Sequence, residues 1–207
     1  MIVDPAIEKY LLDLLPARDE TLAEMEARAA RERIPIIGPV VATFLSILVA
    51  VSGAKQIFEL GSAIGYSTIW LARAAGPDAE IHYSDGSAEN ARSARSYFER
   101  AGVASRITVH VGDALTELAA TAGEFDMLFN DVDKEGYPDV LAAAPARIKS
   151  GGLFITDNTL WKARILHPQS AADRAIAAFN RALAESSEFR LPSVLPMRDG
   201  LSVAVRR

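Results

Sequence analysis

From residue 54 onward, short apolar runs alternate with longer helical stretches, and this alternation constrains the fold more than any other feature of the sequence. The runs are 56–60, 80–84, 107–111, 125–129 and 153–156. Between them, 67–75, 88–101, 115–120 and 137–149 carry helix formers at helical spacing. Strand, helix, strand, helix predicts a parallel sheet with helices on both faces, and runs that are nearly continuous in apolar residues suit strands buried on both sides. A further helical stretch, 171–186, precedes two extended runs, 189–196 and 200–205. Asp199-Gly200 offers a tight turn between them, which predicts an antiparallel hairpin at the sheet edge.

Residues 1–53 read differently from the 54–207 core. Helices are expected over 8–15, where Pro16 ends the pattern, over 19–33, and over 40–52 after the breaker Pro35-Ile36-Ile37-Gly38-Pro39. The stretch 34–51 is apolar and about long enough to span a bilayer. Its two prolines, and the glycines Gly38 and Gly53 that flank the helical pattern, point instead to a loop and a buried helix. The start of the chain lacks a basic segment leading into a long apolar run, so no secretory signal is read there. A cytoplasmic location is the default expectation. No repeat, low-complexity tract or linker interrupts the 207 residues, which suit one domain. A net charge of -5 gives no electrostatic case for nucleic acid, and the absence of cysteine excludes disulfides, thiolate chemistry and zinc–cysteine sites.

The ends of the apolar runs carry the chemistry. The first leads into Glu59-Leu60-Gly61-Ser62-Ala63-Ile64-Gly65-Tyr66-Ser67. Glycines after a strand let the backbone turn and approach a ligand, and the following helix points its N-terminal dipole at it. The G-x-x-x-G spacing and Glu59 count against a pyrophosphate, and so against a nicotinamide-dependent oxidoreductase; a carboxylate there suits a sulfonium or an amino group. Asp85, ending the second run, can accept from ribose hydroxyls, and Gly112-Asp113-Ala114, ending the third, can reach a base edge. Either acid could instead be a helix N-cap. In order, the three tips make a nucleoside site. The fourth and fifth runs end in Asn130-Asp131-Val132-Asp133-Lys134 and Thr156-Asp157-Asn158. On neighbouring strands, Asp131, Asp157 and Asn158 would converge as hard oxygen ligands suited to Mg²⁺, with Mn²⁺ or Ca²⁺ as alternatives. A lysine beside such a cation and partly desolvated can serve as a general base, which is the role read for Lys134. Taken alone, D-x-D-K also reads as a solvated turn. His82 and His110 fall within strand runs and read as core; His167 follows the Trp161 segment and could reach a pocket. Met25 and Met127 read as packing.

These segments resemble the metal-dependent class I O-methyltransferases of the caffeoyl-CoA and catechol type, particularly small bacterial members. The resemblance runs from Tyr10-Leu11-Leu12 and Ile34–Pro39 through Glu59–Ser67, Asp131–Lys134 with Tyr137, and Asp157-Asn158-Thr159-Leu160-Trp161, to Leu195-Pro196-Met197-Arg198-Asp199-Gly200-Leu201. It implies a Rossmann-like, seven-stranded, mostly parallel sheet with an antiparallel last strand, and a homodimer. It also implies S-adenosylmethionine as methyl donor and a vicinal-diol small molecule as acceptor, with the 1–53 helices contributing to acceptor pocket and dimer. Glu59, Gly61, Ser62, Gly65, Ser67, Asp85, Asp113, Ala114 and Asp131 are the expected cofactor residues. Asp131, Asp157 and Asn158 are the expected metal ligands, Lys134 and Asp131 the catalytic pair, and Trp161 an acceptor-pocket wall. The chain departs from the family at Ser62-Ala63-Ile64, where threonine and an aromatic are more usual. It departs again at Gly86-Ser87-Ala88, where a second acid and a proline are usual, and at Asn130, which replaces an aliphatic residue.

Overall fold

The computed structural model describes residues 3–207; Met1 and Ile2, which open the segment read as carrying no secretory signal, lie outside the described residues. Helices α1 (Pro5–Leu14), α2 (Glu20–Glu32) and α3 (Gly38–Ser52) come first. Then follow β1 (Gln56–Leu60), α4 (Tyr66–Ala75), β2 (Glu80–Asp85), α5 (Ala88–Arg100), β3 (Ile107–Val111) and α6 (Ala114–Ala120). The chain closes with β4 (Phe125–Asn130), α7 (Tyr137–Ala143), β5 (Ile148–Asp157), α8 (Ala171–Glu185), β6 (Phe189–Leu195) and β7 (Leu201–Arg206).

The seven strands form one sheet in the order β3-β2-β1-β4-β5-β7-β6. Strands β1 to β5 pair in parallel, while β7 runs antiparallel to both β5 and β6. This is the expected Rossmann-like sheet with an antiparallel last strand. The strand period of two splits the sheet into two apolar faces. Ile57, Ile81, Tyr83, Met127, Phe129 and Ile155 pack with α3, α4 and α5 on one face. Phe58, Leu60, Leu128 and Phe154 pack with α6, α7 and α8 on the other. Met25 and Met127 are fully buried, as read. His82 is buried against Phe58, and its Nδ1 lies 2.9 Å from His110 Nε2.

The helix expected over 137–149 is shorter than the pattern suggested. It ends at Ala143, and a 3-10 turn over Ala144–Ala146 follows. Pro145 in that turn has no amide hydrogen to extend the α-helix. Strand β5 then begins at Ile148, five residues before the apolar run that marked it. Gly152 allows this, because a Cβ there would sit 2.8 Å from the Asp126 carbonyl oxygen. Helix α3, the most apolar segment, buries Val41, Ala42, Leu45 and Val49 as a core helix. Among the described residues no helix is long and apolar enough to cross a membrane.

Candidate active site

The register of the sheet explains why the chemistry collects at one edge. Leu60 pairs with Ser84 and with Asn130, and Asn130 pairs with Thr156. The next residue on each strand, Gly61, Asp85, Asp131 and Asp157, therefore emerges at the same level on the carboxyl edge. Strand order reverses between β1 and β4, which is where open α/β sheets bind ligands. A cavity of about 1760 Å³ opens there. That exceeds the roughly 300–1,000 Å³ of a site for one drug-sized ligand, so it has room for two.

One end of the cavity is lined by Gly61, Ser62, Ala63, Ser67, Asp85, Asp113 and Ala114. The glycine loop is stitched to the end of β2. The amides of Gly61 and Ser62 donate to the Ser84 carbonyl at 3.1 and 3.0 Å, and the Ala63 amide donates to Asp85 Oδ2 at 2.9 Å. Ala63 itself has φ 45°, and its carbonyl accepts from the Tyr83 hydroxyl at 2.6 Å. Asp85 Oδ1 accepts from the Ser87 amide at 2.8 Å and from Asn90 Nδ2 at 3.0 Å, so its carboxylate is already oriented. Asp113 is the N-cap of α6, accepting from the Thr116 amide at 2.8 Å and from its hydroxyl at 2.7 Å, while still lining the cavity.

Two of the expected cofactor residues do not line the cavity. Glu59 is completely buried behind the loop, and its carboxylate accepts from the hydroxyls of Ser67 and Thr68. Burial pushes its carboxyl up to about 7, against the opposing pull of those hydroxyls. Gly65, at φ 84°, packs against α5; a Cβ there would lie 2.5 Å from the Phe98 ring. Gly61, at φ 81°, sits at the switch point itself, and a Cβ there would lie 2.5 Å from the Asp131 carbonyl oxygen. Glycine is required at both positions, for backbone conformation and for close approach.

The other end brings together Asp131, Lys134, Asp157, Asn158, Trp161 and Arg198. Lys134 Nζ donates to Asp131 Oδ1 at 2.8 Å and to the Val132 carbonyl at 3.1 Å. The same ammonium lies 5.0 Å from the centre of the Tyr137 ring and 5.8 Å from that of Trp161. Asp157 is buried, and burial followed by the charge of Asp131 pushes its carboxyl up to about 7. Burial raises Asp131 as well, with Lys134 pulling the other way. Asp157 Oδ2 accepts from Asn158 Nδ2 at 3.2 Å, whereas its Oδ1 is buried with no hydrogen-bond partner. An unpartnered buried carboxylate oxygen is costly unless something positive meets it. Among the described residues no three carboxylate or imidazole side chains converge. The donor set is therefore two carboxylates with a neighbouring amide, hard oxygens that fit a divalent cation completed by water or substrate.

Sequence reasoning assigned no role to several residues that build the site. Tyr137 donates its hydroxyl to the Asp157 carbonyl at 2.8 Å. Arg198, at φ 46°, donates to the Ile36 carbonyl at 2.8 Å and lies 3.5 Å from Glu8. Thr68 had no signal, because its role depends on the first turn of α4 folding over Glu59. His167 is exposed and is absent from the cavity lining.

Comparison with known proteins agrees with this geometry. A family model described as O-methyltransferase matches residues 16–207. The catechol O-methyltransferase of Mycobacterium tuberculosis is 34% identical over 177 residues, covering 84% of this chain and 80% of that protein. Caffeoyl-CoA O-methyltransferase 1 of Zea mays is 30% identical over 216 residues, covering 96% and 83%. The crystal structure of the O-methyltransferase from Bacillus cereus in complex with SAH superimposes with a TM-score of 0.87 at 30% identity, covering 98% of this chain and 97% of that one.

Proposed function

The chain belongs to the O-methyltransferase family of S-adenosylmethionine-dependent enzymes, and on that premise we propose that it is a divalent-metal-dependent enzyme that methylates one hydroxyl of a vicinal diol such as a catechol. The observation that carries the metal-dependent reading is the buried Asp157 carboxylate, one oxygen of which is left unpartnered, together with the half-buried Asp131 carboxylate held by Lys134. The catechol and caffeoyl-CoA activities named for the relatives support a diol acceptor.

In this reading Asp85 takes the ribose hydroxyls, and Gly61, Ser62, Ser67, Asp113, Ala114 and Asp131 contact the rest of the methyl donor. Glu59 acts from behind the loop by holding Ser67, and Gly65 packs the far side of the turn against α5. Asp131, Asp157 and Asn158 would hold the cation, which when bound supplies a positive charge that makes a coordinated hydroxyl more acidic. Lys134, once its ammonium has released one proton to solvent, takes the proton of the acceptor hydroxyl at the neutral Nζ. The acceptor oxygen then forms its bond to the methyl carbon as the sulfur–methyl bond breaks, leaving S-adenosylhomocysteine and a methyl ether. Trp161 walls the site and orients the acceptor, Tyr137 braces the Asp157 backbone from behind, and such positioning supplies much of the acceleration. The Mg²⁺ form is the one proposed for the cell, because the set is small and all oxygen. A homodimer is proposed through α1, none of whose residues is buried and whose Ile7, Tyr10, Leu11 and Leu14 form an exposed apolar stripe.

Lys134→Ala and Asp157→Ala test the chemistry. Each should lower methyl transfer by at least about 10²-fold while S-adenosylhomocysteine still binds in a calorimeter. Unchanged transfer in both variants would contradict the mechanism.

A further inference from the structure

Trp161 lies in a segment whose backbone is held in an uncommon conformation. Trp161, Lys162 and Ala163 have φ of 45°, 54° and 63°, three consecutive non-glycine residues in the left-handed region. Side chains rarely adopt this region, so the turn persists only where its surroundings enforce it. Two aspartates do so. The carbonyl of Asp199 accepts from the Leu160 and Trp161 amides at 2.9 and 3.1 Å, and its carboxylate accepts from the Lys162 amide. Asp173, on the first turn of α8, holds the side chain. Its Oδ1 accepts from the indole Nε1 of Trp161 at 3.0 Å, and the Arg164 guanidinium lies 2.9 Å from the same oxygen. Asp173 Oδ2 accepts from the Gln169 and Ser170 amides at 3.1 and 2.9 Å.

Asp173 does more than a helix cap requires. The capping box with Ser170 uses one of its oxygens and the Ser170 amide. The rest of the carboxylate reaches back twelve residues to the indole. Asp173 is 1% exposed. Burial works to raise its carboxyl, but the Ser170 amide and hydroxyl, the Gln169 amide and the indole together hold it well below the ordinary carboxylate range. The Arg164 guanidinium and Lys134 Nζ each lie 5.8 Å from the centre of the indole ring.

We propose that Asp173 is a positioning residue that pre-sets the Trp161 indole as a rigid wall beside Lys134, so that the acceptor meets a formed surface rather than one it must organise. The inference rests on the methyl-transfer reading for its kinetic consequence alone; the placement of the indole stands by itself. Tightly held walls of this kind act on the binding and alignment of the acceptor, and leave the methyl donor's end of the cavity untouched.

The test uses the full chain carrying Trp70→Phe, in which Trp161 is the one remaining tryptophan of the two in the sequence. Adding Asp173→Asn should red-shift Trp161 emission and raise its acrylamide quenching at least two-fold. With catechol as the probe acceptor, the acceptor KM should rise about ten-fold, while the KM for S-adenosylmethionine stays within two-fold. Ser170→Ala breaks the capping box and leaves the indole bond, so it controls for helix stability: Tm should fall while emission, quenching and acceptor KM stay at the parent values. Trp161→Phe, which keeps a ring and loses the N–H, should raise the acceptor KM, and adding Asp173→Asn to it should raise it no further. Unchanged emission and quenching in Asp173→Asn overturns the proposal whether or not catechol is a substrate. An acceptor KM equal to the parent's in an active Asp173→Asn enzyme overturns it as well. An inactive parent enzyme whose indole still loosens in Asp173→Asn sinks the diol reading and leaves the positioning of Trp161 supported.

Discussion

Glu59 and Asp157 both sit near pH 7, well above ordinary carboxyls, and for different reasons. Burial lifts Glu59, with Ser67 and Thr68 opposing it, whereas burial and the neighbouring Asp131 charge lift Asp157. For Glu59 the folded value is raised above 4.5, so the folded chain keeps its proton where the unfolded chain has lost it. Stability from this group therefore falls as pH rises from about 4.5 to about 7 and is level above that. Glu59→Gln removes that slope. In urea unfolding of the ligand-free protein, the variant should gain on the parent between pH 5 and pH 8, by an amount on the order of 3 kcal/mol. Parallel pH profiles would show that Glu59 is not held protonated. At this scale the sequence was legible where a residue's place follows from a strand tip. Asp85, Asp131, Lys134, Asp157 and Asn158 all line the cavity, because a parallel sheet delivers the residues after its strands to one edge. Thr68, Tyr137 and Asp173 were not, because each acts on a group 9, 20 or 12 residues away whose approach only the folded path defines.

The two loop glycines separate the demands on the β1–α4 connection. Both have φ above 80°, and both leave no room for a Cβ, but their neighbours differ. At Gly61 the obstacle is the backbone of Asp131, so Gly61→Ala must displace the β4 tip that carries the proposed metal carboxylate. At Gly65 the obstacle is the Phe98 side chain on α5, outside the cavity. Each substitution should cost roughly 1–3 kcal/mol of stability. Gly61→Ala should also weaken S-adenosylhomocysteine binding at least ten-fold by calorimetry, while Gly65→Ala should leave it within about two-fold in the folded fraction. Equal losses of affinity would mean that the loop responds as one unit. Element identity was legible from period, and the structure adds N-caps at Asp19, Ser87 and Ser170. The start of β5 was not, because Lys149-Ser150-Gly151-Gly152 carries no apolar alternation and lies at an irregularity in the β4–β5 register. Nor was the left-handed turn at Trp161–Ala163, since Trp-Lys-Ala has no glycine or asparagine to announce it and Asp199 and Asp173 impose it from elsewhere in the chain.

The whole molecule is a sheet with a core on each face, closed at its carboxyl edge by segments from the N-terminal helices. Glu8, Leu12, Glu26 and Ala29 of α1 and α2 line the same cavity as Asp85 and Asp157. Helix α1 reaches the body of the protein on that side while its stripe of Ile7, Tyr10, Leu11 and Leu14 faces solvent. An exposed stripe of that kind suits the interface proposed for a second copy of the chain. Light scattering should give twice the 22.3 kDa chain mass, and Leu11→Asp with Leu14→Asp should return it to one chain; a parent protein that runs as one chain removes the dimer. Metal-dependent methylation of a diol is measured by methyl transfer from labelled S-adenosylmethionine to a panel of catechols. Each acceptor is run with Mg²⁺ and again with excess chelator. Transfer to one hydroxyl is expected with Mg²⁺, falling at least about 10²-fold with chelator and returning when Mg²⁺ is restored. Transfer that continues undiminished in chelator would contradict the role given to Asp131, Asp157 and Asn158, and no transfer to any catechol would contradict the diol acceptor.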